Sequence, residues 1–387
     1  MIKKILDKTQ LPLLAFFLAL FVGGLVIGFT ENKVLAKISS PIEFLKIFGS
    51  TVGNAYLALF QGAIYDPNLA EGKSFMAGFY PLSETMVATA PLILCGLSVA
   101  LAFKSGLFNI GAQGQFIFGA IGASYIGFKF EIPVAMHILV ATLAGVILAA
   151  LWGGIVGLLK AKTGAHEVIV TIMLNYIAAK FLLFLLSTKY FLRPGRLDPI
   201  APPVKESAKL PNLFGVDYRV NIGIFIALAA SVFIWWLLNR SIIGFRFRAV
   251  GANSSAARTA GISVSAAMIA TMAISGGLAG MGGAIHTLGN QYELTDTVAA
   301  SFGFDAITVA LLGRGTPLGV VLASLLFAGL RTGGQTMQAN VGVPVEIVLV
   351  IQALVVLFIA APALVKSIFR VRNLQEASAM ASKGWNG

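Results

Sequence analysis

PVAMHILVATLAGVILAALWGGIVGLL, residues 133–159, carries no charged side chain. Roughly 17–25 consecutive apolar residues let a helix cross the hydrocarbon core of a bilayer. This block is long enough. A helix in lipid also satisfies its own backbone hydrogen bonds, which an isolated strand cannot do. The stretch is therefore read as a membrane-spanning helix.

Comparable blocks recur on both sides of it, at roughly 11–29, 84–103, 107–127, 168–187, 221–239, 267–288, 304–313, 317–330 and 344–362. The block at 304–313 is short and ends in Gly313-Arg314-Gly315-Thr316-Pro317. It is expected to be a half-helix or a re-entrant segment, tolerated only where protein or a cavity covers its backbone. The expected fold is all-α: a polytopic transmembrane helix bundle of eight to ten spans with broken or re-entrant helices. Residues 1–387 are read as one transmembrane domain. Composition agrees, since 57% of the chain is hydrophobic and 11% charged. Soluble domains carry about 25% charged residues, so this chain has too few to cover a water-facing surface.

The net charge of +12 would suggest nucleic acid in a soluble protein. Here Lys and Arg sit between apolar blocks and form no long basic stripe interleaved with aromatics, which fits topology signalling and lipid headgroups better than nucleic acid. The lone Cys95 lies in an apolar run, and His137, His166 and His286 are scattered. No disulfide, metal site or cofactor is expected. Met1-Ile2-Lys3-Lys4 followed by the block 11–29 reads as an uncleaved first span, because no small-residue cleavage site follows. Lys and Arg in the short loops favour both termini inside. Segment 188–220 is then an outer loop, Pro-rich at Pro194, Pro199, Pro202, Pro203 and Pro211. It suits either a landing surface for an external partner or a plain connection. Residues 373–387 read as a flexible tail.

Glycine is frequent inside the spans, densest in Ser275–Ala284, where Gly276, Gly280 and Ala284 recur every four residues. Small residues at that spacing let helix backbones approach in lipid. Ser275 and His286 do not make a catalytic dyad. Eleven residues along one helix separate them by about 16 Å. The chain also has neither a G-x-x-x-x-G-K-[ST] phosphate loop nor an H-E-x-x-H metal helix.

Between two spans on the expected inner side lies Gly244–Ile262, GFRFRAVGANSSAARTAGI. Asn253 can cap a short helix carrying Ala256, Ala257 and Ala260. Gly261 can end it in a left-handed turn. Arg246, Arg248 and Arg258 surround it. Such a helix is built to fit a groove on another protein. The stretch resembles the coupling loop of ABC importer permeases of the ribose, branched-chain amino acid and nucleoside type. Gly244, Arg248, Ala249, Gly251, Asn253, Ala256, Ala257, Gly261 and Ile262 fill that pattern in register.

Two further segments are similar to the nucleoside branch. Phe103-Lys104-Ser105-Gly106-Leu107-Phe108-Asn109-Ile110-Gly111-Ala112-Gln113-Gly114-Gln115 matches its F-[KR]-x-G-x-[FI]-N-I-G-x-[EQ]-G-Q run. His166-Glu167-Val168-Ile169-Val170-Thr171-Ile172-Met173-Leu174-Asn175-Tyr176-Ile177 matches its [HNE]-E-V-[IV]-x-T-[IL]-M-L-N-x-I run. The resemblance spans about residues 80–365. It implies a bacterial inner-membrane permease that imports nucleosides, a purine nucleoside such as guanosine, by alternating access. It also implies a cytoplasmic ATPase docked at 240–266 through Arg248, Gly251, Asn253, Ala256, Ala257 and Gly261. A second, related permease chain and an external substrate-binding lipoprotein or periplasmic protein complete the machine. The chain itself is then no enzyme.

A nucleoside is neutral, polar and flat. Asn109, Gln113, Gln115, Thr171, Asn175 and Tyr176 offer neutral hydrogen-bond groups from within apolar blocks, where polar groups must face a cavity or one another. As a set they are read as the substrate pathway. Glu167 and Asp305 begin apolar runs in faintly similar segments. They are read as an end of that pathway, or as acids favoured at helix N-termini. A simple-sugar permease is the alternative within the family. An ion-coupled secondary transporter would use intramembrane acids but would need no docking helix.

Overall fold

A computed structural model describes residues 2–215 and 217–369. Its regular elements are helices, and no strand forms among the described residues. In chain order the helices are α1 (Ile2–Thr30), α2 (Asn32–Leu35), α3 (Pro41–Ala63), α4 (Pro67–Ala70), α5 (Tyr80–Lys104), α6 (Ala112–Lys129), α7 (Val134–Thr163) and α8 (Glu167–Leu186). After the loop come α9 (Gly223–Arg240), α10 (Ile242–Ala252), α11 (Ser254–Thr259), α12 (Val264–His286), α13 (Phe302–Leu312), α14 (Pro317–Val341), α15 (Val345–Ala360) and α16 (Pro362–Phe369).

Among the described residues, seven helices are long and apolar enough to cross a membrane: α1, α5, α7, α8, α9, α12 and α14. The pair α15–α16, bent by 92°, makes an eighth if it counts as one span. Three sequence blocks change in the structure. The block 107–127 becomes α6, which begins only at Ala112 after a tight loop. The short block 304–313 becomes α13, eleven residues long. At 1.5 Å per residue it reaches about half of the hydrocarbon thickness, as a half-helix would. It stops where Arg314 and Gly315 take positive φ of 52° and 59°. The block 317–330 continues as α14 to Val341, because Arg331 and the polar residues after it remain helical. Between the blocks 11–29 and 84–103, where no span is expected, Pro41–Ala63 forms the continuous α3.

The described residues gather into two compact units, one formed by those up to Ala58 and from Met337 to Phe369, the other by Leu59–Thr336. In the first, α1 packs on α15, and Gly23 lies under the Ile351 side chain, where a Cβ would come within 2.6 Å. Phe29, Phe44 and Phe48 cluster with ring centroids 5.7–6.2 Å apart.

The second unit is built around α5, α6, α7 and α12. Burial along α7 is the inverse of a soluble helix. Ala141, Gly145, Ala149 and Gly153 face inward, whereas Leu139, Leu143, Ile147 and Leu151 are exposed. Small residues inside and large apolar ones outside are what lipid selects, since backbone contact holds helices together there. The contacts bear this out. A Cβ on Gly153 would lie 2.5 Å from Met272 O, and one on Gly157 2.7 Å from Ile269 Cα. Gly119 and Gly280 meet backbone to backbone across α6 and α12. Helix α5 is buried on all sides from Thr89 to Ala102.

Segment 188–220 is folded back over this unit. Ala201 N donates to Leu294 O (3.0 Å), Lys205 N to Gly127 O (2.9 Å) and Leu210 N to Leu288 O (2.9 Å). Its own Phe191, Val204 and Leu210 are buried. On its outside, Lys205 hydrogen-bonds Glu131 (2.9 Å) and holds that carboxyl below its usual range; Arg196 does the same for Asp198. The tail at 373–387 lies outside the described residues.

Candidate translocation and coupling sites

The tight loop between α5 and α6 sets the first site. Gly106, at φ +71°, turns the chain so that Asn109 points inward, fully buried. Asn109 Nδ2 donates to Ser98 Oγ (3.1 Å) and Gln115 Oε1 (2.9 Å), and Gln115 Nε2 donates back to Asn109 Oδ1 (3.1 Å). Gln113 donates through Nε2 to Ala300 O (2.7 Å) and accepts from Gly303 N (2.8 Å), tying the starts of α6 and α13 together. Asn175, on α8, accepts from Gly114 N (2.8 Å) and donates to Ile110 O (2.9 Å). Thr171 Oγ1 bonds its own helix at Glu167 O (2.7 Å), and Glu167 pairs with Lys160 (2.8 Å) across the turn from α7. Tyr176 is exposed. Sequence reasoning thus found real buried polar groups. The structure brings Asn109, Gln113, Gln115 and Asn175 together around the N-terminus of α6, each with partners inside the chain. Glu167 and Asp305 both occupy first turns of their helices.

Asp305 belongs to a different cluster. Ser301 Oγ donates to its Oδ2 (2.7 Å), and Arg331 Nη1 stands 3.7 Å from the same oxygen. The Arg331 guanidinium lies over the Phe302 ring, 4.5 Å from its centroid. Phe302 stacks on Phe116 (5.6 Å) and takes His286 edge-on (4.9 Å). His286 Nδ1 is 3.4 Å from Asn290 Nδ2. The Asn290 carbonyl accepts from Arg219 Nη2 (3.1 Å), and Arg219 Nη1 pairs with Glu84 (3.2 Å). Beside this pair opens a cavity of about 700 Å³, lined by residues that include Lys73, Met76, Tyr80, Asp217 and Tyr218. The sequence reading missed Arg331, Arg219, Glu84 and Asn290. For Arg331 a signal existed: no helix breaker separates it from the apolar block that precedes it.

The coupling stretch folds as the capping pattern dictates. Ser241 caps α10, its Oγ accepting from Gly244 N (2.9 Å). Asn253 caps α11, its Oδ1 accepting from Ala256 N (3.0 Å). Gly261, at φ +78°, closes α11 with Gly261 N to Arg258 O and Ile262 N to Ala257 O, both 3.0 Å, the paired bonds of a Schellman stop. Ser263 then caps α12. Within this frame the residues divide. Ala257 is buried, and Arg248 turns inward to bond Leu238 O at the end of α9. Gly251 lies against the Lys104–Gly106 loop, where a Cβ would come 2.5 Å from Lys104 O. Ala256 remains exposed beside Ser254, Ser255 and Arg258.

Residues 82–360 match the family described as branched-chain amino acid transport system / permease component. The chain belongs to this permease family. Among its relatives, the guanosine ABC transporter permease protein NupP of Bacillus subtilis is 37% identical over 368 residues, covering 93% of this chain and 95% of that protein. The nucleoside ABC transporter permease protein NupB of Lactococcus lactis subsp. cremoris is 35% identical, covering 91% and 99%. The glucose ABC transporter permease protein TsgB13 of Haloferax volcanii is 33% identical, covering 81% and 87%. No solved structure is significantly similar. This permease is accordingly a multi-pass protein of the cell membrane, and the helix inventory above is that of a transport component.

Proposed function

We propose that this permease is the membrane-spanning subunit of an ATP-driven ABC importer for nucleosides, purine nucleosides such as guanosine among them. The observation that carries the reading is the likeness, over more than nine-tenths of the chain, to permeases named for guanosine and for nucleosides. ATP is hydrolysed by a separate cytoplasmic ATPase that docks on α10–α11. The capped α11 with its exposed Ala256 supports this, because a plain connector needs neither cap nor stop. Arg248, Gly251 and Ala257 fix the helix pair on the body of the protein, while Asn253 and Gly261 define its ends. A second, related permease chain completes the pathway, and an external substrate-binding protein delivers the nucleoside near segment 188–220. Both chain ends face the cytoplasm. The amides around α6 frame the pathway, with Asp305 in it.

A sugar permease is the second reading, favoured by the glucose-named relative. Uptake of labelled guanosine in host cells with and without this chain separates the two. Loss on deletion, with competition by unlabelled adenosine or uridine and not by ribose, is expected. Unchanged guanosine uptake in cells without other nucleoside carriers overturns the nucleoside reading.

A further inference from the structure

The buried amides are occupied by partners within the chain, whereas the Arg331 guanidinium is held only loosely by its acid, at 3.7 Å. Arg331 sits within α14, directly after the apolar run that ends at Leu330. A guanidinium inside a span is tolerated only where it meets a partner, a cavity or water. Its Nη1 stands 3.5 Å from Ser301 Oγ and 3.7 Å from Asp305 Oδ2, both at or beyond the edge of hydrogen-bond reach. No closer polar contact to Arg331 forms among the described residues. The Arg331 and Asp305 side chains are 28% and 22% exposed. A planar cation with free donors and a carboxylate with free lone pairs thus stand together above an aromatic ring, open to the surface of the unit. One turn along α14, Gln335 is exposed in the same direction.

Arg219 and Glu84 form a second arginine–acid pair, closed at 3.2 Å, with Arg219 also donating to Asn290. Asn290, His286 and Phe302 join the two pairs into one line. Tyr80, one turn before Glu84 on α5, places the far end of that line at the 700 Å³ cavity, a volume suited to a small organic ligand.

We propose that the line from Tyr80 through Arg219–Glu84 to Arg331–Asp305 is the nucleoside path of this subunit, with Arg331 contacting the base. The proposal rests on the nucleoside reading above. Each pair is neutral as a whole, so a neutral ligand can exchange for it without leaving a buried charge uncompensated. The arginine fork matches two adjacent acceptors, such as O6 and N7 of guanine, and a carboxylate accepts from the base N–H groups. Phe302 holds the guanidinium flat for that contact. A simple sugar offers neither the flat face nor the fixed acceptor pair.

The test uses the whole importer, with both permease chains, the ATPase and the binding protein, in proteoliposomes. The binding protein is saturated with guanosine, so that capture is not limiting. Wild-type uptake decides the nucleoside reading by itself. Given that uptake, Arg331→Gln is expected to lower the guanosine rate about ten- to a hundredfold, the size of one charge-assisted contact. Arg331→Lys should fall between, and adenosine, which has no O6, should lose less than guanosine. Arg331→Gln assembled at wild-type level and transporting guanosine at the wild-type rate overturns the path. A second measurement leaves Arg331 in place. Gln335→Cys is expected to react with a membrane-impermeant maleimide, more slowly when guanosine-loaded binding protein and ATP are present. A Gln335→Cys chain that is inserted but unreactive faces lipid or protein, and that result also overturns the path.

Discussion

Replacing Asn175 with alanine separates a scaffold from a substrate contact. The Asn175 side chain accepts from Gly114 N at 2.8 Å and donates to Ile110 O at 2.9 Å, and the residue is 6% exposed. Alanine leaves an N–H and a C=O orphaned beside the first turn of α6. Each buried orphan costs about 1–3 kcal/mol, so the loss is roughly 2–6 kcal/mol. That is a large part of the roughly 5–15 kcal/mol that holds a typical domain. The assay is the half-life of the purified, detergent-solubilised protein at a fixed elevated temperature, because unfolding of such proteins is read as a rate. Tyr176→Ala is the control. Tyr176 is the next residue on the same helix, and it is 66% exposed. Asn175→Ala should shorten the half-life severalfold or more, and Tyr176→Ala should leave it nearly unchanged. Uptake per assembled Asn175→Ala molecule should stay close to wild type. A variant of unchanged half-life whose uptake is lost would refute the scaffold argument and put Asn175 in contact with substrate.

Ala256→Trp should lower ATP-driven uptake at least tenfold while membrane insertion and protein level stay normal, measured by uptake normalised to an immunoblot. Uptake at the full rate would remove α11 from the ATPase contact. Gly251→Val should act differently, by lowering the amount of assembled protein, because its Cβ would stand 2.5 Å from Lys104 O. Overpacking of this kind costs about 1–3 kcal/mol, read as a lower melting temperature. Single cysteines test the orientation cleanly, since the native Cys95 is fully buried. Ser255→Cys should label only from the cytoplasmic side and Glu206→Cys only from outside; the opposite pattern inverts the topology.

Most of the helices were legible in the sequence because lipid imposes one rule on all of them. Apolar length marks a span, and the blocks at 133–159, 168–187, 221–239 and 267–288 emerge within a few residues as α7, α8, α9 and α12. Capping was equally legible, because Asn253 and Gly261 act on their own backbone neighbours and need no tertiary context. What failed was local polarity. Helix α3 carries Glu43, Lys46, Asn54 and Gln61 and falls outside every apolar block. The run 317–330 was cut at Arg331, although the helix goes on. Polarity inside a helix shows that some residue needs a partner, without naming it. Asn109 and Gln115 are only six residues apart, yet nothing in the spacing says that they bond each other. The partners of Arg331 and Arg219 lie tens to more than a hundred residues away along the chain, and only the fold pairs them.

The loop Lys104–Gly111 links these two kinds of feature physically. Gly251 of the α10–α11 pair rests on the backbone of Lys104–Gly106, and Ser105 Oγ accepts from Thr271 Oγ1 of α12 at 3.1 Å. Gly315, in the turn between α13 and α14, lies against the Lys104 side chain. A few residues on, Asn109 and Ile110 hold Gln115 of α6 and Asn175 of α8. A displacement of α11 carried through α10 therefore reaches this loop, where Gly251 rests on it. The contacts there are backbone against backbone and saturated amides, which transmit strain rather than absorb it. The loop that carries the sequence likeness at 103–115 is thus placed to pass motion on, and substitutions in it should change the coupling of ATP hydrolysis to uptake more than the choice among nucleosides. Ser105→Ala removes the Thr271 bond without adding volume. It should raise the ATP hydrolysed per guanosine imported while leaving competition by adenosine and uridine unchanged. An altered order of competitors with normal stoichiometry would move this loop from the coupling route to the substrate path.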